Sequence, residues 1–151
     1  MRTVESMMTI NPCCCTPEMS LPEVARLMVK FDCGEIPVVD DFKNLRIMGV
    51  ITDRDIVCRA IAKDLNPTEV KVTDVMTFPP ITITPYTSVD KCCELMEENR
   101  IRRIPVVDDF DRICGMISQA DIVRSDQQHA YDLVRAISRP NTSESMTIKS
   151  E

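Results

Sequence analysis

The pattern of apolar and polar positions runs through one set of elements twice. Each pass begins with a short stretch closed by a proline: residues 13–16 (CCCT) before Pro17, and residues 81–84 (ITIT) before Pro85. Ile-Thr-Ile is strand sequence, and the cysteines at the matching positions read as strand residues too. A helical spacing follows. Leu21, Val24, Met28 and Phe31 fall on one face, as do Val89, Cys92, Cys93 and Met96 in the second pass. Ser20 and Glu23 form an S-x-x-E capping box at the start of the first of these helices, and Pro22 is tolerated in its first turn. Two β-branched runs come next, 36–39 and 47–51, repeated at 104–107 and 113–117, each pair joined by a polar hairpin. Continuous runs of this length suit buried strands. A second helix opens at Thr52 or Ser118. The prediction is β-α-β-β-α, twice. One more helix is predicted within 126–138, where Tyr131, Val134 and Ile137 recur at helical spacing, followed by a polar tail without structure, 139–151.

The repetition is literal as well as periodic. The segment IPVVDDF stands at 36–42 and again at 104–110, and 23 of 51 aligned positions are identical between the two copies. The identities include Val4 with Val72, Thr9 with Thr77, Pro12 with Pro80, Ser20 with Ser88, Gly49 with Gly115 and Asp55 with Asp121. The expected organisation is a first unit over 1–64, a linker over 65–71, a second unit over 72–125, the C-terminal helix and the tail. One such unit is too small to bury both faces of its sheet. The two copies are therefore expected to pack through their sheets about a pseudo-two-fold axis, as an α/β (α+β) fold.

Composition narrows the chemistry. Hydrophobic residues make up 44% and charged residues 28%, with no Trp, so the core must come from Ile, Val, Leu, Met, Cys and Ala. Three glycines are too few for a Gly-rich phosphate loop, and neither GxGxxG nor a Walker pattern occurs. The single histidine, His129, excludes a multi-histidine metal site within one chain and lies outside the repeat as a solvated helix residue. No nucleophile–base–orienter set is visible, so no catalytic residue is expected. A net charge of −6 does not suit nucleic acid. No apolar run reaches membrane-spanning length and the N-terminus lacks a signal-peptide stretch, which points to the cytoplasm and to reduced thiols. The eight cysteines contain no CxxC spacing, so structural thiols are expected, and no metal site.

One motif carries chemistry in both copies. Residues 49–55 (GVITDRD) and 115–121 (GMISQAD) share the pattern G-h-h-[T/S]-x-x-D. A hydroxyl at the first turn of a helix sits beside free backbone N–H groups, a natural place for phosphate. A carboxylate one turn on can accept two hydrogen bonds from a ribose diol. The same spacing is also a capping-box sequence, so the motif alone leaves both readings open.

The combination of h-P-V-V-D, hairpin and G-h-h-[T/S]-x-x-D, occurring twice, resembles the cystathionine-β-synthase (CBS) domain arranged as a tandem pair, or Bateman module. The resemblance spans Val4 to about Arg124. It implies β-α-β-β-α units, two clefts between them, and binding of an adenosyl ligand such as AMP, ADP, ATP or S-adenosylmethionine, with no cofactor required. By that resemblance the motif Asp holds the ribose, the motif Thr or Ser lies near phosphate, and backbone of the first strand and of the h-P-V run frames the base. One cleft is then expected to use Cys14, Ile36, Pro37, Thr52 and Asp55, and the other Thr82, Ile104, Pro105, Ser118 and Asp121. Arg100, Arg102 and Arg103 precede the second h-P-V run, where the first copy has Asp32, Gly34 and Glu35. Arginine suits a nucleotide phosphate and Glu35 disfavours one, so the Ser118/Asp121 cleft is expected to be the better nucleotide site. The function implied is a stand-alone regulatory, energy-sensing module, homodimeric, acting on an effector protein in trans. A structural module with degenerate clefts and a thiol or metal sensor built on Cys13–Cys15 and Cys92/Cys93 are the alternatives.

Overall fold

The computed structural model describes residues 1–125 and 127–137. The tail expected at 139–151, and residues 126 and 138 of the expected last helix, lie outside them. The elements run β1 (Thr9–Ile10), α1 (Leu21–Phe31), β2 (Glu35–Val39), β3 (Ile47–Thr52), α2 (Asp53–Arg59), α3 (Val72–Val75), α4 (Val89–Asn99), β4 (Arg103–Val107), β5 (Ile113–Ser118), α5 (Gln119–Ser125) and α6 (Gln127–Ile137). The helix–strand–strand–helix order expected of each unit is present: α1-β2-β3-α2, and α4-β4-β5-α5.

Local chemistry explains the boundaries. Ser20 caps α1 by accepting from the Glu23 N–H, and Glu23 returns the bond to the Ser20 N–H, the capping box read from the sequence. Both α1 and α4 end on a left-handed residue, Asp32 at φ 49° and Arg100 at φ 54°. Leu21, Val24 and Met28 are buried on the inner face of α1, whereas Phe31, expected on the same face, is 52% exposed beside a cleft. In α6 the apolar spacing misleads: Leu133 is the buried residue at 3% exposure, and Tyr131 and Val134 face outward.

The first expected strands are shorter than predicted. Residues 13–16 and 81–84 contribute single parallel bridges, Cys15 to Val38 and Ile83 to Val106. Prolines set that limit. Cys15 N–H donates to Pro37 O at 3.0 Å and Cys15 O accepts from Val39 N–H at 2.8 Å. Extending the ladder one way needs an N–H from Pro37, and the other way one from Pro17; neither has it. Pro105 and Pro85 end the bridge at Ile83 in the same manner.

An additional pairing was not expected. β1 joins β5 of the other unit, Thr9 opposite Met116 and Ile10 opposite Gly115, giving a three-stranded sheet β1-β5-β4. The reciprocal contact is a bridge between Thr77 and Val50, beside the two-stranded sheet β2-β3. The lead-in of each repeat thus completes the sheet of its sister. The cores follow the same exchange. Val4 and Met7 pack among Ile83, Val89, Met96, Ile104 and Ile117, while Val72, Val75 and Met76 pack among Cys15, Leu21, Val24, Ile36 and Ile51. The pseudo-two-fold axis passes between the hairpins. Ile47 N–H donates to Asp111 O at 2.9 Å, and the equivalent Ile113 N–H to Leu45 O at 2.8 Å.

The crossing explains the motif glycines. A Cβ on Gly49 would lie 2.6 Å from Thr77 O, and one on Gly115 would lie 2.6 Å from Met8 Sδ and 3.2 Å from Thr9 O. The sister lead-in runs too close for a side chain.

Candidate functional site

The motif hydroxyl and carboxylate first serve the helix they begin. Asp55 N–H donates to Thr52 Oγ1 at 2.9 Å, and Thr52 N–H to Asp55 Oδ2 at 3.0 Å. Asp121 N–H donates to Ser118 Oγ at 3.1 Å, and Ser118 N–H to Asp121 Oδ2 at 2.8 Å. Both carboxylates are buried, Asp55 at 8% and Asp121 at 7% exposure, with one oxygen of each committed to the cap. The remaining oxygens differ. Asp121 Oδ1 accepts from Arg124 at 2.5 Å, an arginine that is itself largely exposed. Asp55 Oδ1 accepts from Thr77 Oγ1 at 3.3 Å, with Arg59 Nε 3.7 Å away.

The two pseudo-equivalent clefts beside these ends differ in size. A cleft of about 420 Å³ is lined by Ser118, Asp121 and Arg124 of the second unit and by Thr9, Cys13 and Pro37 of the first. Its pseudo-symmetric counterpart holds about 90 Å³ and is lined by Val50, Thr77, Pro80, Ile81, Arg103 and Pro105. Position for position the repeat relates the two. Pro79, Pro80 and Ile81 stand where the open cleft has Asn11, Pro12 and Cys13, and Ile81 is bulkier than the cysteine it matches. A third, shallower hollow of about 920 Å³ lies outside, between the Asp32–Glu35 turn and the Arg100–Arg103 turn.

The expected site residues distribute as follows. Ser118 and Asp121 share the open cleft with Pro37 of the first unit, rather than with Thr82, Ile104 and Pro105. Pro105 lines the closed cleft. Thr82 and Cys14 are half-buried and line neither, the Cys14 thiol donating to Pro12 O at 3.3 Å. Ile36 and Ile104 are fully buried in the two cores and offer a cleft nothing but backbone. Thr52 faces the outer hollow, as does Arg102, and Asp55 is closed off behind Thr77. The open cleft draws Ser118 and Asp121 from the second unit and its opposite wall from the first, because the lead-ins cross, which differs from the expected grouping by repeat. Thr9, Cys13, Phe31 and Arg124 were missed. The alignment of Thr9 with Thr77 was the signal available, but only the crossing tells which motif each one faces.

Two charged side chains lie at the centre. Glu35 and Arg103 hold equivalent positions at the start of β2 and β4, and both line the open cleft, the closed cleft and the outer hollow. Glu35 Oε2 is buried and accepts no hydrogen bond. Burial pushes the Glu35 carboxyl up to about 7; Arg103 opposes the shift, and Asp55 and Asp53 add to it.

The thiols are of a different kind. All eight are free, Cys15 and Cys92 are buried, and burial pushes Cys14 up to about 11 and Cys15 and Cys92 up to about 12. These three thiols stay protonated at neutral pH and are poor nucleophiles. Among the described residues no three His, Cys, Asp or Glu side chains converge as a metal site, and no helix is long and apolar enough to cross a membrane.

Comparison with known proteins agrees with this architecture. The family model described as CBS domain matches residues 4–60 and 72–127. Hypoxic response protein 1 of Mycobacterium tuberculosis (strain H37Rv) is 30% identical over 141 residues, covering 93% of this chain and 96% of that protein. The crystal structure of Hypoxic Response Protein I with two coordinated zinc ions superposes with a TM-score of 0.74 at 28% identity, over 82% of this chain and 98% of the other. The structure of CBSX2 in complex with AMP gives a TM-score of 0.73 at 29% identity, over 85% and 98%. The CBS domain pair of MJ0100 with 5′-methylthioadenosine and S-adenosylmethionine gives 0.72 at 28% identity, over 82% and 98%.

Proposed function

The chain belongs to the CBS-domain family as a tandem pair, and we propose on that premise that it is a regulatory, non-catalytic module binding one adenosyl ligand in the Ser118/Asp121 cleft. The observation that carries this reading is the pairing of space with chemistry. Of the two pseudo-equivalent clefts, the one with about 420 Å³ is the one whose motif carboxylate is held only by its cap and by a solvent-exposed arginine. Arg124 can turn away from Asp121 without cost to the core, which frees Oδ1 for a ribose hydroxyl. Arg103 and Arg124 supply cations to a 5′ phosphate, and Pro37 with Cys13 gives a flat, weakly polar wall for a base. AMP in CBSX2 and the two adenosyl ligands in MJ0100 support the same ligand class.

The proposed output runs through α5 and α6. Asp121 lies in the first turn of α5, and α6 packs on α5 and α4. The equivalent helices of the first unit, α1 and α2, leave Val29 and Val57 exposed, as is Ile61 in the 3-10 turn just after α2. We read that face as the contact with a second copy, through which a ligand-induced shift reaches an effector in trans. The zinc of Hypoxic Response Protein I supplies no reading here, since among the described residues no three His, Cys, Asp or Glu side chains converge.

A thermal-shift series with AMP, ADP, ATP and S-adenosylmethionine tests the proposal. At a hundredfold excess over Kd, binding stabilises the fold by about 2.7 kcal/mol, a rise of several degrees for a chain of this size. No shift with any of the four overturns the reading in favour of a structural module.

A further inference from the structure

Glu35 is the one described residue with a buried side-chain oxygen that has no hydrogen-bond partner, and it lines both clefts. Its surroundings are mixed. Asp53 and Asp55 of α2 face it as like charges, and Arg103 of β4 faces it as the opposite charge. Asp32 and Cys33, at the end of α1, and Cys13 of the lead-in share the open cleft with it. Arg54, Arg100 and Arg102 border it from the outer hollow. Asp121 and Arg124 of α5 lie across the open cleft and are already paired with each other. Asp55 is likewise engaged, by Thr77 and Arg59. The charges lining the open cleft outside those pairs are Asp32, Glu35 and Arg103, and of these Glu35 and Arg103 stand on equivalent positions and line both clefts.

Resting on the nucleotide reading above, we infer that Glu35 is the charge-selecting residue of the clefts. Its carboxylate competes with an anionic ligand for Arg103, so that an adenosyl ligand carrying a 5′ phosphate enters only when Glu35 takes up a proton. A neutral adenosyl ligand enters without that step. The physical reason is the low dielectric of the position: two anions cannot share one guanidinium there without large repulsion. The carboxyl, raised to about 7, is close enough to neutral pH to accept the proton when the anion arrives. Above that pH the requirement costs an anion about tenfold in affinity per pH unit.

Isothermal titration of AMP and adenosine into wild type, Glu35→Gln and Arg103→Gln, at pH 6 and pH 8.5, decides the matter. At pH 8.5 Glu35→Gln is expected to bind AMP about thirtyfold more tightly than wild type, and at pH 6 about equally. Adenosine affinity is expected to stay within about threefold in all cases. Arg103→Gln, which keeps the fold testable if the first variant does not, is expected to lose the preference for AMP at pH 6 and to keep adenosine. An AMP-to-adenosine ratio that is the same in wild type and variants at both pH values overturns the selection by Glu35 while leaving the ligand class standing. Absence of binding by either probe to any of the proteins overturns both.

Discussion

The two motif ends of this molecule share a sequence pattern, a capping box and a burial level, yet Ser118 and Asp121 line a cleft of about 420 Å³, whereas the pseudo-equivalent cleft of about 90 Å³ is lined by neither Thr52 nor Asp55. The difference does not arise in the motifs. It arises in the lead-ins that cross over to cover them. The first lead-in brings Asn11, Pro12 and Cys13 to the second motif, and the second brings Pro79, Pro80 and Ile81 to the first. Thr77 then reaches Asp55, whereas among the described residues the hydroxyl of its counterpart Thr9 makes no bond to Asp121. Under the proposed function, the duplicated unit has in this way become one site and one structural seam, with the same helix start binding in one copy and holding in the other.

The seam can be broken most severely at its glycine. Gly49→Ala places a methyl group 2.6 Å from the carbonyl of Thr77, whose backbone is bonded to Val50 in both directions and cannot retreat. A loss of about 3 kcal/mol is expected in urea unfolding. Gly115→Ala meets first the flexible end of Met8, which can rotate aside, so about 1 kcal/mol is expected. Equal losses would show that the two crossings are equally rigid. The central pair comes next. Glu35 holds its proton in the fold up to about pH 7 and releases it at the ordinary carboxylate value when unfolded. Between those values the native state binds more protons than the unfolded chain, so this group's contribution to stability falls as pH rises from about 4.5 to 7. Glu35→Gln is therefore expected to stabilise the protein by up to about 3 kcal/mol at pH 8 and by little at pH 4.5. A melting-temperature difference that does not grow with pH would place the carboxylate in water.

Much of this architecture was legible in the chain. The duplicated IPVVDDF and the motif spacing fixed the element order, because hydrophobic period and caps are local signals. The crossing of the lead-ins was not legible. Val4 and Val72 look like the start of their own units, and nothing in a repeat alignment says that each packs into the other core. Grouping Ser118 with Ile104 and Pro105 followed from that omission. The short first strands failed for a different reason: Ile-Thr-Ile has strand propensity, but the residue beside its bridge partner Val106 is Pro105, a non-local fact. Leu133 was missed because helical spacing fixes a period and leaves open which of two phases faces inward.

The motif carboxylates separate binding from holding. Asp121→Ala is expected to weaken AMP binding about thirtyfold, since a carboxylate accepting hydrogen bonds from a ligand contributes on the order of 2 kcal/mol. Asp55→Ala is expected to leave AMP affinity within about threefold, because that residue lies behind Thr77. Both lose a capping box, at about 1 kcal/mol of stability, so the comparison is read in calorimetry on folded protein. Equal losses of affinity would mean that the closed cleft opens to take ligand.

The smallest test uses the two threonines alone, and its value lies in the crossing of two readouts. Thr77→Val removes a hydroxyl that donates to the buried Asp55 carboxylate at 3.3 Å, leaving one oxygen with only the distant Arg59. A stability loss of about 1 kcal/mol is expected, with AMP affinity unchanged. Thr9→Val removes a hydroxyl that has no partner among the described residues and lines the open cleft. Stability is expected to stay within about 0.5 kcal/mol, with AMP affinity falling a few-fold as the cleft loses a donor. The two substitutions are chemically identical and sit at repeat-equivalent positions. If the copies have divided their work as the cleft volumes indicate, each variant moves the readout that the other leaves alone. If both variants move the same readout, the asymmetry lies only in the resting shape of the clefts, and the chemistry of the two sites is still shared.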